Sequence, residues 1–211
     1  MTTAQRHIAC FCETTFDVDL PASADMAGDP EIEQLILDGS FMSVTCPGCG
    51  RRLTPEYPFR LTGVSGFGDL FLVPETDRGA YDRGRLDYEI GSTGRIVVGF
   101  PELREKVLIA SLGLDDRVIE IMKYYLLTGS ASAGDGEQEK EVGIVYCGKE
   151  SGRHVFNIIG MKEGEIGIAR LAEELYGRIA SDVETRVKED PFRDFCVPPW
   201  VSLRKITGAA G

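Results

Sequence analysis

Cys10-Phe11-Cys12 and, about thirty residues further on, Thr45-Cys46-Pro47-Gly48-Cys49-Gly50 are the stretches that decide how this chain reads. Two short cysteine turns, each flanked by strand-forming residues, bring four soft ligands toward one point, which is the arrangement a tetrahedral zinc ion requires. Cys46-Pro47-Gly48-Cys49-Gly50 is the stronger half, because its glycines supply the left-handed backbone a thiolate turn needs. Cys10-Phe11-Cys12 has one residue between its sulfurs instead of two and makes a tighter turn. The expected ligands are therefore Cys10, Cys12, Cys46 and Cys49, with His7 as the alternative donor beside the first pair. A closed Cys₄ cage has no open position for water, so it predicts a structural zinc and no hydrolytic chemistry. Iron is the other metal that the same four thiolates accommodate.

Outward from the cysteines, Phe16, Val18 and Leu20 alternate at period two, as in a strand. Asp29-Pro30-Glu31 starts a helix whose apolar face is Ile32, Leu35 and Ile36 and whose stop is Gly39. Phe41 to Thr45 and Arg52 to Leu61 lead into and out of the second turn, and Leu70-Phe71-Leu72-Val73 is a buried strand ended by Pro74. Ile96, Val97 and Val98 form another strand. Pro101 then opens a helix ending at Gly113, and Asp115 caps a second carrying Val118, Ile119, Met122, Tyr125 and Leu126 on one face. Residues 129–141 are Gly, Ser, Ala, Asp and Glu-rich and predict a flexible linker. Val142–Cys147 and His154–Ile159 predict a β-hairpin, and Glu165–Lys188 a long amphipathic helix with Ile168, Ala172, Leu175, Ile179 and Val183 on its stripe. The tail with Cys196, Pro198, Pro199 and Trp200 is expected to be extended and docked through its indole.

The expected fold class is α+β: a zinc-ribbon-like β domain with an inserted helix over 5–75, a strand plus αα-hairpin over 76–128, the linker over 129–141, and a β-hairpin, long helix and extended tail over 142–211. The chain has 211 residues, is 43% hydrophobic and carries a formal charge of −11. That suits a packed core and disfavours binding to a phosphate backbone, for which only Arg51, Arg52 and Arg60 beside the second turn speak. The polar start Met1 to His7 does not resemble a signal peptide, and no stretch approaches the roughly 20 apolar residues of a membrane span. A cytoplasmic protein with reduced thiols, a protein partner and no membrane is the expectation.

Asp29-Pro30-Glu31, Leu37-Asp38-Gly39-Ser40, Thr45-Cys46-Pro47-Gly48-Cys49-Gly50, Glu56-Tyr57-Pro58 and Leu70-Phe71-Leu72-Val73-Pro74 resemble the CpXC-domain family of bacteria and archaea. Glu102-Leu103-Arg104-Glu105-Lys106 and Gly113-Leu114-Asp115-Asp116-Arg117-Val118-Ile119-Glu120 resemble the helical portion that accompanies it, so the likeness covers roughly residues 5 to 128. It implies metal binding by the paired cysteines and brings no reaction with it. The first motif departs from the family pattern: Cys-Pro-x-Cys is replaced by Cys10-Phe11-Cys12.

Other chemistry is sparse, and no catalytic set emerges. Gly63-Val64-Ser65-Gly66-Phe67-Gly68 has the wrong order for a dinucleotide loop and reads as a turn; Gly148-Lys149-Glu150-Ser151-Gly152 lacks the P-loop spacing. Cys147 and His154 fall on adjacent strands, where a favourable register would pair thiol with imidazole. Asp115, Asp116 and Glu120 are either a cation cluster or, more simply, acidic residues at a helix start. The functional expectation is a structural-zinc protein acting as an interaction or scaffolding module. A thiol enzyme or redox switch using Cys147 with His154 or the zinc thiolates, and a zinc-ribbon nucleic-acid binder, are the alternatives.

Overall fold

The computed structural model describes residues 1–88, 90, 92–131, 142–160 and 164–207, and the chain divides into two compact units, Met1–Val107 and Leu108–Gly211. In the first unit, β1 (Thr2–Ala9) and β2 (Thr15–Asp25) form an antiparallel hairpin in which Ala9 opposes Thr15. Helix α1 (Glu31–Leu37) follows, then a small antiparallel pair, β3 (Val44–Thr45) with β4 (Arg52–Leu53), that stands apart from the main sheet. β5 (Phe59–Val64) and β6 (Gly68–Val73) are the next hairpin. A 3₁₀ turn (Glu75–Asp77) and α2 (Arg78–Asp82) lead to β7 (Arg95–Val98) and α3 (Gly99–Ser111). The main sheet has the order β1-β2-β5-β6-β7, with β2/β5 and β6/β7 parallel. Alternating Phe59, Leu61, Leu70 and Leu72 are buried with Ile96 to Val98, Ile32 and Ile36 of α1, and Leu103 of α3. Phe41, just past α1, meets Phe59 edge-on at 5.1 Å and stacks at 6.5 Å on Phe100.

The helix signals hold at the level of single hydrogen bonds. Asp29 Oδ1 accepts the Glu31 N–H at 3.2 Å, and Asp115 Oδ1 accepts that of Arg117 at 2.9 Å, so both aspartates cap the helices that follow them. Gly39 (φ +77°) and Gly113 (φ +65°) stop α1 and α3 with the same paired bonds, Gly39 N to Ile36 O with Ser40 N to Leu35 O, and Gly113 N to Ala110 O with Leu114 N to Ile109 O.

Within the first unit Glu56 does what no pattern announced. Its Oε2 accepts the Glu75 N–H at 2.7 Å and its Oε1 the Phe100 N–H at 2.6 Å. One carboxylate thus satisfies the start of the 3₁₀ turn after β6 and the first turn of α3. Glu102 reaches back from α3 to the Val98 N–H at 2.8 Å, leaving the β7–α3 junction held from both sides.

The second unit is built on α4 (Asp116–Ala131), whose Val118, Ile119, Ile121 and Met122 are buried. The expected linker lies mostly outside the described residues; α4 itself passes Gly129 and reaches Ala131. β8 (Gly143–Glu150) and β9 (Arg153–Ile159) form the expected hairpin. The long helix over 165–188 does not form. Its first part is a third strand, β10 (Ile166–Ala172), antiparallel to β9, and only then come α5 (Glu173–Ala180) and the short α6 (Val183–Arg186). Ile166-Gly167-Ile168-Ala169-Arg170-Leu171-Ala172 fits either period; Gly167 weakens a helix, and the free side of β9 supplies backbone partners that a helix does not need. The tail is likewise not extended: α7 (Phe192–Cys196) and α8 (Arg204–Thr207) flank buried Trp200, Val201 and Leu203. Tyr124 of α4 packs on Phe192 and Phe195 at 5.5 and 5.7 Å. Glu120 of α4, buried, pairs with Lys123 at 2.9 Å and accepts the Leu203 N–H at 2.7 Å, tying the tail to the helix.

His154 is fully buried in this unit. Its Nδ1 lies 3.1 Å from the Tyr146 hydroxyl, its ring stacks on Tyr176 at 5.0 Å, and Glu173 Oε2 is 3.0 Å from Nε2, off the hydrogen-bond direction. Lys149 Nζ holds the other Glu173 oxygen at 3.0 Å. Burial lowers the His154 pKa from its ordinary 6.5 despite Glu173, and Lys149 adds to that lowering. Glu173 is itself held below 4.5, chiefly by the Lys149 hydrogen bond.

Two predictions follow from these contacts. Glu56→Ala should cost the first unit about 3 kcal/mol, since two hydrogen bonds to a charged acceptor are lost, and should speed amide exchange at Glu75 and Phe100; unchanged exchange there would show that the clamp is dispensable. Because the unfolded chain protonates His154 more readily than the folded one, the stability His154 contributes is complete above 6.5 and is lost as pH falls through its lowered pKa, and Glu173 adds a loss in the same direction below 4.5. Unfolding free energies from urea titrations should therefore fall on acidification between these values, with a slope shallower by up to about 1.4 kcal/mol per pH unit in His154→Phe. Equal slopes in the two proteins would remove His154 from the account.

Candidate metal centre

Each cysteine turn closes a hairpin, and the two closures share one backbone plan. Cys10 N–H bonds to Thr14 O at 2.9 Å across the end of β1–β2, and Cys46 N–H bonds to Arg51 O at 2.9 Å across the end of β3–β4. In both, the residue after the second cysteine is left-handed: Glu13 at φ +67° and Gly50 at φ +71°. The shortened first motif thus reaches the geometry of the second by placing a non-glycine residue where glycine is the ordinary choice. The loops are also packed together, for a Cβ on Gly48 would fall well inside contact distance of the Thr14 side chain. A side chain on Gly48 would push the two turns apart.

The four Sγ atoms lie within 4.8 Å of one another. Cys10 and Cys49 are 3.7 Å apart and Cys12 and Cys46 3.6 Å, so each close pair joins one turn to the other. A disulfide is about 2.05 Å, far shorter, whereas four sulfurs about 2.3 Å from a central ion stand about 3.8 Å apart at the corners of a tetrahedron. Cys10 and Cys46 are buried, while Cys12 and Cys49 are exposed. The cluster is one that can hold a metal ion.

Its electrostatics favour the thiolate at Cys12 and also at Cys46, where burial is outweighed by the Cys49 and Gly48 backbone N–H groups, and resist it at Cys49. The Thr14 hydroxyl, helped by the Thr14 backbone, holds Cys12 down to about 6. Cys49 moves the other way, to about 11: the Arg51 N–H, its largest influence, favours the thiolate, but the Cys12 sulfur, burial and the remaining thiols outweigh it. Negative charge crowded onto neighbouring sulfurs is what a central cation relieves. Phe11 projects from the tip between two cysteines at 87% exposure, with the Arg51 guanidinium 5.7 Å from its ring centre.

The other candidates lie elsewhere. His7 is opposite Asp17 in the β1–β2 ladder and bonds its carboxylate at 2.9 Å, outside the sulfur cluster. Cys147 occupies the bulge of β8, exposed, with its sulfur 3.5 Å from Val145 O, while His154 opposes Lys149 and bonds Tyr146. The register thus does not make the thiol–imidazole pair. Cys196 is buried, its sulfur 3.8 Å from Arg117 O. Asp115 engages Arg117 at 2.7 Å and Glu120 engages Lys123, so these acids serve helix and tail. Arg52 is bonded to Ser43 and to Gly39 O, and Arg60 pairs with Asp69 at 3.3 Å, leaving Arg51 on Phe11. Gly63 to Gly68 turns β5 into β6, and Lys149 faces Glu173. Sequence reasoning missed Thr14, Glu13 and Phe11; a hydroxyl two residues after Cys12 was the one available signal for the first.

Among the described residues no helix is long and apolar enough to cross a membrane. A protein of Treponema pallidum (strain Nichols) described as an uncharacterized protein is 26% identical over 217 aligned positions, which cover 94% of this chain and 97% of its own. No solved structure matches the chain. Residues 8–123 match the family described as CpXC protein, a stretch that contains all four clustered cysteines. Spanning more than half of its length from just before Cys10 to Lys123 of α4, that match makes this chain a member of the CpXC protein family.

Proposed function

We propose that Cys10, Cys12, Cys46 and Cys49 bind one zinc ion in a closed structural site, and that the protein works as an interaction module whose metal-braced tip presents Phe11 and Arg51 to a protein partner. The observation that carries the metal reading is the pair of sulfur–sulfur distances, 3.7 and 3.6 Å, at the tetrahedral edge length of a zinc–thiolate site. With four protein ligands the ion has no place for water or substrate, and its binding free energy goes into fixing two hairpins from different sheets. In small modules that contribution is on the order of 10 kcal/mol. The zinc-ribbon-like description applies to these paired knuckles, one borne by the main sheet and one by the small β3–β4 pair.

The partner reading is supported by the tip. A large aromatic side chain held almost wholly in water costs solvation, and beside a stacked guanidinium it has the makeup of interface hot spots.

Elemental analysis of protein purified without added metal should find about one zinc per chain and no visible charge-transfer absorption, since zinc has a filled d shell; strong visible bands would point to iron. Cys46→Ser should lower metal content and leave Cys10, Cys12 and Cys49 open to alkylation, and full metal retention in that variant would refute the ligand set. Phe11→Ser should keep the metal and the fold while losing a partner that co-purifies with the native protein. A native protein that always purifies alone would count against the interaction role.

A further inference from the structure

Each of the two sulfur pairs that join the cysteine turns is made of one sulfur in water and one inside. Cys12 is exposed and stands 3.6 Å from Cys46, which is 1% exposed. Cys49 is exposed and stands 3.7 Å from Cys10, which is 6% exposed. A dissolved oxidant therefore meets Cys12 and Cys49 first, and beside each of these lies a shielded thiol of the other turn. An exposed sulfur with a second thiol in reach is the makeup of redox-sensing cysteines. A disulfide holds its sulfurs about 2.05 Å apart, so each pair has only to close by about 1.6 Å, within the reach of two side-chain rotations.

Two contacts that involve no metal also join the turns. The Thr14 side chain fits against Gly48 with no room for a Cβ, and the Arg51 guanidinium lies 5.7 Å from the Phe11 ring centre. The sulfurs of one turn thus stay within reach of the other once an ion has left. Pairing inside the first turn is less favourable. Its disulfide would have to close over Phe11 alone, in a turn already fastened by the Glu13 N–H on Cys10 O at 2.9 Å.

We propose, resting on the zinc reading above, that the cage is a redox switch in which hydrogen peroxide converts the four thiolates into the crossed disulfides Cys12–Cys46 and Cys10–Cys49, expelling zinc while leaving the turns joined. In each half the exposed sulfur attacks one peroxide oxygen. An S–O bond forms, the O–O bond breaks, and the departing hydroxide takes a proton to become water. The buried sulfur then attacks the resulting sulfenic acid; the S–S bond forms, the S–O bond breaks, and the second oxygen leaves as water with another proton. Each disulfide thus hands two electrons from two thiolates to one peroxide, and a dithiol reductant with zinc runs the change backward. Because both cross-links span the turns, the oxidised protein keeps its Phe11 tip braced, by covalent bonds where the metal had been.

Zinc-loaded native protein is first alkylated, which marks exposed Cys147, and then treated with peroxide beside a chromogenic zinc indicator. About one zinc per chain should be released, leaving a metal-free chain lighter by about four hydrogens, two for each disulfide. Cleavage after Glu13 and Glu33 separates the turns, and the two cysteine fragments should stay linked until reduced. Fragmentation within Cys10-Phe11-Cys12 and Cys46-Pro47-Gly48-Cys49 should then assign Cys12 to Cys46 and Cys10 to Cys49. A dithiol with added zinc should restore the metal content. Fragments that part without reduction, the opposite crossing, zinc retained under peroxide, or a change that reductant does not undo would each overturn the switch while the metal reading stands. Absence of zinc before peroxide is added would instead end the metal reading, and the switch with it.

Discussion

The Glu56 carboxylate is the constraint on which the first unit's connections depend. Sheet order β1-β2-β5-β6-β7 requires the chain to leave β6, cross and return as β7, and then turn at once into α3. Each of those departures leaves backbone N–H groups without ladder partners, and burying them unmet would cost more than most side-chain contacts return. Glu56, reaching from the segment that precedes β5, meets both at Glu75 and Phe100. A residue distant in sequence therefore sets where β6 ends and where α3 begins.

The sulfur cluster sits on the same framework but answers to a different problem. Its two turns belong to two separate sheets, and the contacts seen between them are the Gly48–Thr14 approach, the cross-turn sulfur pairs and the Arg51 guanidinium over the Phe11 ring. The β3–β4 pair has two residues per strand, too little ladder to be stable alone. What orders it must come from outside its own hydrogen bonds, and thiolate–metal bonds are strong enough to do so.

Features decided within a few residues were legible in the sequence. Asp29, Asp115, Gly39 and Gly113 act through bonds two to five residues away, so their identities alone announced the helix limits. The four cysteines were legible for a related reason: their chemistry is rare enough to outweigh ignorance of the fold. Ile166–Ala172 was not, because its apolar spacing serves two periods and the choice was made by β9, its antiparallel neighbour. The Cys147–His154 pairing failed on a single extra residue, the bulge, which moved Tyr146 and not the thiol next to the imidazole. Glu13 was hidden differently. Its left-handed backbone makes the short Cys10-Phe11-Cys12 turn equivalent to the longer one, and nothing in a glutamate signals that conformation.

The bulge has a practical side. Of the six cysteines, four crowd together at the knuckles and Cys196 is shut inside the tail, so Cys147 alone stands in water apart from other sulfurs. A maleimide dye or spin label added to metal-loaded native protein would settle on that one atom, without any residue being removed first. The strand irregularity thus furnishes the sheet with a ready attachment point for optical and magnetic probes.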